Sequence, residues 1–533
     1  MMNLRKNKGI TLIALIITII VMLILAGVAI SSITGTGIFS KTKEATDAYN
    51  NSVNNENNQI NTALGWFDNT NSGSNDNGES GDETLALAPK VSEPSSSQTG
   101  GNIVTTTNST GVIEIVWLDM NNNVIANPLP PKMASDMTPI KYDGTTEETA
   151  GTYNNPDNNW YSYTAQTGST DGQTSNWANA KTNADGSYWV WIPRYAYRIV
   201  YFDGKDHAND YRENGYTETN KAWIQGYSTV YGMVDASGNL VNGTNPNIAP
   251  ADRVQTAGYT DYIPHPAFLG SAYIDLGGGF GDAKGISGFW VAKFEASQED
   301  NKPASKPGVS PWTNIAVGDC YTNSLNYNPT NNSHLIKNSE WGATAYLTDS
   351  KYGRNGTEVT INDYYVGATN SSITGGGTGT TYATTKTVQS TTGNPTGIYD
   401  LNGGVYEYIA AFNKIGNPSY LSSYASSFAS ANGNSTKYAT AYSNLNTSYD
   451  YSIAGDVSHV GDGMREVAVS NNTGWFSDYS TFVYYGFPFT GRGGYYGGNS
   501  SAGIFAFGTI TRWWHLVLQL PHGISPTVVL YQN

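Results

Sequence analysis

The strongest constraint in this sequence is a run of 21 uncharged residues, Ile10–Ile30, that follows a basic N-terminal segment. That segment, Met1–Lys8, carries Arg5, Lys6 and Lys8 and no acidic residue. As an α-helix, the uncharged run would extend about 31 Å, which matches the hydrocarbon thickness of a bilayer. The length of the run predicts a single-pass anchor in the cell membrane, and the basic residues that flank only its N-terminal side set its orientation. The N-terminus would be cytoplasmic and the remaining chain extracellular.

The order of residues at the start of this run resembles a known class of processed membrane proteins. A cleaved secretory signal fits less well, since the run is too long and no small-residue cleavage site closes it. Lys8-Gly9-Ile10 followed by an apolar helix resembles the type IV prepilins and pseudopilins. The resemblance implies a leader over 1–9, cleavage after Gly9 by a prepilin peptidase, and methylation of Ile10. It also implies contact with membrane lipid and with other pilins through the helix.

One position departs from the prepilin pattern. Pilins that assemble in bulk carry Glu at the fifth mature position, and this chain has Ala14 there. In that family the Glu sets the register against a neighbouring subunit. The departure favours a minor subunit or a surface anchor over a major filament subunit.

The next segments predict a stalk, a tether and a spacer. Apolar residues at helical spacing continue the anchor, so we assign 10–67 to a transmembrane and stalk helix. Residues 68–102 are rich in Asn, Gly and Ser and predict a flexible linker, because they cannot bury enough apolar surface to order. Runs of β-branched residues around a turn predict a small β spacer over 103–131. The main domain would then cover 132–533.

Composition excludes several functions. The chain has 28 Lys and Arg against 43 Asp and Glu, a net charge of −15, which disfavours nucleic acid as a partner. A single Cys excludes an intramolecular disulfide framework and a four-Cys zinc site. The six histidines are dispersed, with no pair at metal-ligand spacing, and no nucleophile accompanies a credible base. The sequence therefore predicts a protein that is not an enzyme.

Four aromatic, glycine-rich segments follow one another in the main domain: Gly288–Glu295, Asn338–Tyr346, Gly397–Tyr408 and Arg492–Tyr495. Each alone is typical of an ordinary strand, turn or helix start. Together and in this order they resemble the formylglycine-generating enzyme family, whose fold is a variant of the C-type lectin fold. The resemblance implies an α+β chain in which the anchor helix and linker precede a large C-type-lectin-like domain of short strands and long loops.

Local signals within this domain predict where elements begin. The turn at Asp185–Ser187 predicts a buried strand from Tyr188 onward. Ser339 is a candidate cap for a helix that starts at Asn338, with Glu340 favourably placed at its positive end. The glycine-rich segment Gly491–Tyr495 predicts the opening of another strand.

The resemblance also implies a scaffold without its family's chemistry. Those enzymes oxidise a substrate cysteine and hold copper with two active-site cysteines, whereas this chain has Cys320 alone. A residual oxidoreductase is therefore the most remote alternative. No cofactor is expected, apart from one alternative: Asp400 and Asn402 are predicted to cap a turn, and a structural Ca²⁺ at these residues is the other interpretation.

The resemblance extends to C-type-lectin-fold proteins that are diversified by retroelements and display variable residues near their C-terminus. Two stretches rich in Tyr, Gly, Asn and Ser, 475–485 and 492–507, carry this resemblance. It implies that ligand contacts come from Trp475, Tyr479, Tyr484, Tyr485, Arg492, Tyr495, Tyr496, Asn499, Ser500 and Ser501. Trp513 and Trp514 would join them if exposed. Ile504, Phe505 and Phe507 are predicted core, and ordinary turns of a glycine-rich domain are the equal alternative for these stretches.

These observations lead to one hypothesis and a structural alternative. The hypothesis is a membrane-anchored, pilin-like surface protein whose lectin-fold domain binds an extracellular protein or glycan. The alternative is a minor pilin or pseudopilin of a type IV pilus or a type II secretion-like filament, in which the same domain only caps the filament.

Overall fold

The architecture comes from a computed structural model, which describes a large C-terminal part of the chain. The described residues are 112–166, 175–200, 248, 250–259, 262–279, 284–366, 371–429, 435–443, 459–470, 472–510, 524–526 and 528–530. The expected leader, anchor, stalk and linker, together with Gly9, Ile10, Trp513 and Trp514, lie outside them. Within these ranges, no helix has the length and apolar character needed to cross a membrane.

Strands and helices alternate irregularly along the described chain, so the α+β prediction is confirmed at that level. The strands are β1 (Val112–Leu118), β2 (Val124–Ile125), β3 (Met137–Asp143), β4 (Thr146–Thr149), β5 (Gly151–Thr152), β6 (Asn155–Pro156), β7 (Asn179–Thr182), β8 (Tyr188–Pro193), β9 (Tyr195–Val200), β10 (Ile263–Pro264), β11 (Gly288–Ala292), β12 (Ala296–Glu299), β13 (Lys302–Ser305), β14 (His334–Leu335), β15 (Tyr365–Val366), β16 (Ser371–Ser372), β17 (Tyr406–Asn413), β18 (Thr440–Tyr442), β19 (Ala468–Ser470), β20 (Thr473–Gly474), β21 (Phe489–Arg492), β22 (Phe507–Ile510), β23 (Ile524–Pro526) and β24 (Val528–Leu530). The α-helices are α1 (Val317–Tyr327), α2 (Asn338–Asp349), α3 (Thr381–Thr384) and α4 (Pro418–Tyr424). Short 3₁₀ turns connect many of these elements.

The largest sheet has seven strands in the order β14-β24-β11-β8-β7-β3-β4. Its neighbours β8 and β11 are built almost entirely of large apolar residues, and nearly every side chain in them is buried. Trp191 of β8 lies opposite Trp290 of β11, with ring centroids 5.3 Å apart. The turn before β8 is the one expected, because Gly186 has φ +69° and the strand begins at Tyr188.

A second sheet of four strands, β10-β9-β1-β2, differs from the expected separate spacer. Strand β1 pairs with β9 over six residues, from Val112↔Val200 to Trp117↔Tyr195. Successive side chains of β1 point to opposite faces of the sheet, so Ile113, Ile115 and Trp117 enter the main core, while Val116 and Leu118 pack in a second apolar cluster. The described residues of the expected spacer over 103–131 are thus part of the main domain. That domain begins before residue 132, and residues 103–111 lie outside the description.

Helix α2 packs against β1, β8 and β17, and all twelve of its residues are buried. It begins at Asn338 as expected, but the cap differs from the predicted Ser339. The N-cap is Lys337, whose backbone N–H donates to the Glu340 carboxylate at 2.8 Å. The Ser339 hydroxyl instead donates to the carbonyl of Gly277 at 2.9 Å. Ser339 is buried against the segment that contains Gly277, so its hydroxyl bonds to that segment and not to the N-terminus of its own helix.

A third sheet, β18-β17-β21-β22 with β23 also paired to β17, carries the regions of interest for binding. The sequence predicts a strand opening at Gly491–Tyr495, but β21 ends at Arg492. The reason is backbone geometry, because Gly493 and Gly494 have φ of +79° and +78° and turn the chain out of the sheet.

The placement of β1 in the core can be tested by substitution. Trp117 is 2% exposed, and its ring lies 4.7 Å from that of Tyr352. We expect Trp117→Ala to lower the free energy of unfolding by about 3–5 kcal/mol, since it removes a large buried side chain. Urea denaturation of the purified protein measures this. The control Tyr153→Ala, at an exposed position, should change it by less than about 0.5 kcal/mol. Equal midpoints for both variants would contradict the placement.

Candidate ligand-binding face

The candidate site lies at one end of the sheet formed by β17, β21 and β22. Glu407 near the start of β17 pairs with Arg492 at the end of β21, which in turn pairs with Phe507 at the start of β22. The chain leaves β21 through Gly493 and Gly494, and the backbone N–H of Tyr496 then donates to the carbonyl of Gly404 at 2.9 Å. The backbone of 495–496 is therefore fixed at the strand ends.

Five tyrosines gather there, and we call them the tyrosine face: Tyr365, Tyr406, Tyr479, Tyr495 and Tyr496. The rings of Tyr365 and Tyr496 stack with centroids 4.7 Å apart and planes 18° apart. Tyr495 meets Tyr496 edge to face at 5.7 Å and lies 5.7 Å from the ring of Tyr406. Tyr479 is close enough to Tyr406 to affect its ionisation. Tyr365 and Tyr479 are exposed, and Tyr495 and Tyr496 are half-buried.

Two hydroxyls of this face, those of Tyr406 and Tyr496, stay protonated at neutral pH. Burial, followed by the neighbouring phenols of Tyr495 and Tyr479, raises the pKa of Tyr406 to about 12. Burial, followed by Tyr365 and Tyr495, raises the pKa of Tyr496 above its usual value. Each of these two phenols is thus a neutral group that can both donate and accept a hydrogen bond.

Small polar side chains adjoin the tyrosines. Asn499, Ser500 and Ser501 form an exposed 3₁₀ turn. The N–H of Tyr479 donates to the carbonyl of Ser501 at 2.9 Å, which places this turn beside the tyrosine face. Six of the predicted ligand-binding residues (Tyr479, Tyr495, Tyr496, Asn499, Ser500 and Ser501) are therefore brought together at one surface.

Two other predicted residues lie elsewhere. Tyr484 and Tyr485 belong to a tight hairpin, in which the N–H of Tyr484 donates to the carbonyl of Phe487 at 3.2 Å. This hairpin leads into β21 at Phe489, whereas the tyrosine face follows the opposite end of β21 at Arg492. Four extended residues span roughly 13 Å, so the two surfaces are separate. Tyr485 and Phe487 are exposed and form a smaller apolar patch.

Trp475 is a correction to the predicted set, because it is 2% exposed. Its ring packs edge to face on Phe505 at 5.4 Å. Phe505, Ile504 and Phe507 are themselves buried, as expected for core residues. A large aromatic in a glycine-rich loop supplies the apolar surface on which that loop rests, so Trp475 supports the face from below.

Arg492 is the second correction, since its side chain is fully buried. Its guanidinium donates to Asn338 Oδ1 at 2.9 Å, to the carbonyl of Gly463 at 3.0 Å, and to the carbonyl of Asp462. Burial lowers the pKa of Arg492 to about 10, so it remains charged at neutral pH. Arg492 joins strand β21 to helix α2 and cannot contact an external ligand in this conformation.

Asp400 and Asn402, in the third of these segments (Gly397–Tyr408), lie in a turn before β17. The Asp400 carboxylate accepts the N–H of Gly375 at 2.8 Å and the amide of Asn362 at 2.9 Å. Burial raises the pKa of Asp400 to about 6. Asn402 donates its amide to the carbonyl of Val359 at 2.6 Å. These contacts join the turn at Asp400 and Asn402 to the distant segment between Val359 and Gly375, so the bonds of both side chains differ from the local turn cap that the sequence predicts.

A metal site is not evident around this turn. No cluster of three or more His, Cys, Asp or Glu side chains within the described part of the chain is arranged to hold a metal ion. Calcium at Asp400 and Asn402 stays a prediction. Cys320 is fully buried on α1, and burial raises the pKa of its thiol well above the usual value.

Two members of the tyrosine face were not predicted from sequence. Tyr365 is more than a hundred residues from Tyr496, and no local pattern links them. Tyr406 lies inside the third motif, where an aromatic at a strand start is more often core. The pairing of its neighbour Glu407 with Arg492 at the end of β21, rather than any spacing in sequence, brings Tyr406 to the surface group.

Comparison with known proteins finds no matching family model and no similar curated protein.

The structural role of Arg492 is testable. We expect Arg492→Ala to lower the free energy of unfolding by several kcal/mol, because each buried acceptor left unpaired costs about 1–3 kcal/mol. Urea denaturation followed by tryptophan fluorescence measures the loss. Ser500→Ala, at an exposed position, should stay within about 0.5 kcal/mol of the wild type. An Arg492→Ala protein of wild-type stability would show that the guanidinium does not hold β21 to α2.

Proposed function

We propose that this chain is a membrane-anchored, pilin-like surface protein whose C-terminal domain binds an extracellular protein or glycan through the tyrosine face. The domain would be a C-type-lectin-like scaffold related to the formylglycine-generating enzymes but used for recognition. The observation that carries the proposal is the gathering of Tyr365, Tyr406, Tyr479, Tyr495 and Tyr496 at one end of a sheet.

The chemistry of this face suits recognition. A tyrosine offers a large amphipathic contact area with only two side-chain torsions to fix, so it binds at a small entropic cost. The exposed Asn499 and Ser500 add hydrogen-bonding groups that adapt to different partners. Aromatic rings stack on the apolar faces of sugars as well as on protein side chains, so the same surface accepts either class of ligand.

The backbone hydrogen bonds that hold the tyrosine face in place also support binding. The N–H of Gly403 donates to the carbonyl of Gly493 at 3.1 Å, and that of Tyr496 donates to Gly404 at 2.9 Å. These bonds attach the loop after β21 to the turn before β17. Side chains held on a rigid frame lose less entropy on binding than side chains on a loose loop.

Binding is favoured over thiol catalysis by the state of the single cysteine. Cys320 lies on α1 and belongs to a buried hydrophobic cluster that also contains residues of β17. Because burial raises the pKa of Cys320, the group is a protonated thiol, which is a poor nucleophile and a poor metal ligand.

Substitution of the stacked pair tests the binding proposal. The purified protein is applied to arrays of glycans and of cell-surface proteins, and any binder is then titrated. We expect Tyr365→Ala and Tyr496→Ala each to weaken binding by about tenfold or more, with unchanged unfolding midpoints. Tyr153→Ala, an exposed tyrosine outside the face, is the matched control and should bind as the wild type does.

Two results would count against the tyrosine face. Binding that survives both substitutions but is lost in Tyr485→Ala would place the site at the 484–487 hairpin. A folded protein that binds nothing on either array would contradict the recognition function itself.

The proposed anchor predicts a processing event. With a prepilin peptidase co-expressed, we expect the mature protein to start at a methylated Ile10 and to remain in the membrane fraction. A bulky residue in place of Gly9 should prevent cleavage, because the peptidase acts after that glycine in the family that this segment resembles. Mass spectrometry of the N-terminal peptide measures both. A wild-type protein that keeps residues 1–9 in the presence of the peptidase would contradict the prepilin assignment.

A further inference from the structure

Two consecutive residues before Tyr479 have backbone conformations that residues with a side chain rarely adopt. Phe476 has φ +57° and ψ +13°, and Ser477 has φ +71°. In this left-handed region Cβ comes too close to the following carbonyl oxygen, so each of the two residues is strained. For a residue as bulky as Phe476 the conformation is a clear outlier. Such strain persists only where the surrounding structure holds it.

The two residues form the centre of a tight turn. The N–H of Asp478 donates to the carbonyl of Trp475 at 3.0 Å, which closes the turn around Phe476 and Ser477. Positive φ at both central positions is the pattern of a type I′ turn, which strongly favours Gly, Asn and Asp there. The chain contains 59 glycines and has none at these two positions. Local preference therefore opposes this turn, and contacts with another segment must hold it.

Phe505 supplies those contacts. The ring of Phe476 lies parallel to the ring of Phe505, with centroids 6.1 Å apart and planes 10° apart. The ring of Trp475 meets Phe505 edge to face at 5.4 Å, and Asp478 Oδ2 accepts the N–H of Phe505 at 3.0 Å. Three of the four turn residues thus contact one residue, which is fully buried in the main core.

Tyr479 follows this turn directly, so the turn determines where Tyr479 lies. The N–H of Tyr479 donates to the carbonyl of Ser501 at 2.9 Å, and its carbonyl accepts the N–H of Phe507 at 2.8 Å. Its ring lies against strand β22, since a Cβ at Gly508 would be 3.4 Å from the ring. These contacts join Tyr479 to the 3₁₀ turn and to the strand that border the tyrosine face.

We propose that Phe476 and Ser477 are positioning residues for the tyrosine face: their strained turn, held closed by Phe505, fixes the place of Tyr479. When the contacts with Phe505 are lost, the turn relaxes to an ordinary backbone conformation, and Tyr479 leaves Ser501 and Gly508. Only the use of Tyr479 in binding rests on the proposed function. The place of Tyr479 is measured without a ligand, so the two proposals can fail separately.

Amide hydrogen exchange on the full-length protein tests the turn through the N–H groups of Tyr479 and Phe507. Phe476→Ala and Phe476→Gly both remove the ring, but only glycine adopts positive φ without strain. We expect both variants to exchange faster than the wild type, with Phe476→Gly at least about threefold slower than Phe476→Ala. In an unstrained loop the order would be reversed, because glycine makes a loop more flexible.

The same comparison at Ser477 leaves every aromatic contact in place. Ser477→Gly and Ser477→Ala both remove the hydroxyl, so a difference between them reports the backbone alone. We expect Ser477→Gly to exchange at least about threefold more slowly than Ser477→Ala at the same two amides. If the Phe476 variants do not fold, the Ser477 pair alone decides. The matched controls Ser419→Gly and Ser419→Ala, at an exposed position of α4 without positive φ, should keep the wild-type rates.

Nitration of tyrosines, followed by mass spectrometry, reports the place of the Tyr479 ring. Tyr479 should react faster in Phe476→Ala than in the wild type, measured relative to the exposed Tyr153, because its ring no longer lies against β22. A general loss of stability would instead raise exchange equally in β11 and would overturn the inference. Equal or slower exchange in the alanine variants at both positions, or unchanged nitration of Tyr479, would also overturn it.

Discussion

The surface of this domain depends on one buried cation. Arg492 is the last residue of strand β21. The three hydrogen bonds of its guanidinium reach the first residue of α2 and the turn at 462–463. A charge placed in a core is costly unless every donor finds an acceptor, and here two of the acceptors are backbone carbonyls whose positions are fixed by the fold. The position of β21 is thereby set relative to α2. The position of Tyr495 and Tyr496 follows from that of β21, because only Gly493 and Gly494, both with positive φ, separate Arg492 from Tyr495.

The core also contains buried carboxyl groups, and their ionisation makes the stability of the fold depend on pH. Burial raises the pKa of Asp400 to about 6, and burial together with the Asp462 charge raises the pKa of Glu466 to about 8. At these two carboxyl groups the folded protein therefore binds more protons than the unfolded chain between about pH 4 and 8. By linkage, these groups stabilise the fold most at acidic pH, and their contribution is lost as the pH rises through the raised values. Glu466 also accepts the hydroxyls of Tyr197 and Tyr346, so phenols supply the hydrogen bonds of this buried acid.

Sequence patterns predict the elements of this fold better than they predict its surface. The strand from Tyr188, the helix from Asn338 and the core residues Ile504, Phe505 and Phe507 follow from apolar runs and turn residues, which act locally. The membership of β1 in the main domain depends on pairing with Tyr195–Val200, which no local signal encodes. Trp475 and Arg492 show the same limit, because residue type alone does not tell whether a side chain in a glycine-rich loop points inward.

The tyrosine face combines a fixed backbone with side chains that the fold does not require. The loops beneath it are held by main-chain bonds: Tyr479 donates to Ser501 and accepts from Phe507, and Tyr496 donates to Gly404. None of these bonds depends on which side chain stands at 479 or 496. Trp475, Phe505 and Arg492 supply the packing from below, so stability and surface chemistry are assigned to different residues. A scaffold built this way tolerates exchange of its exposed residues, so under the proposed recognition function the ligand could change without a change of fold.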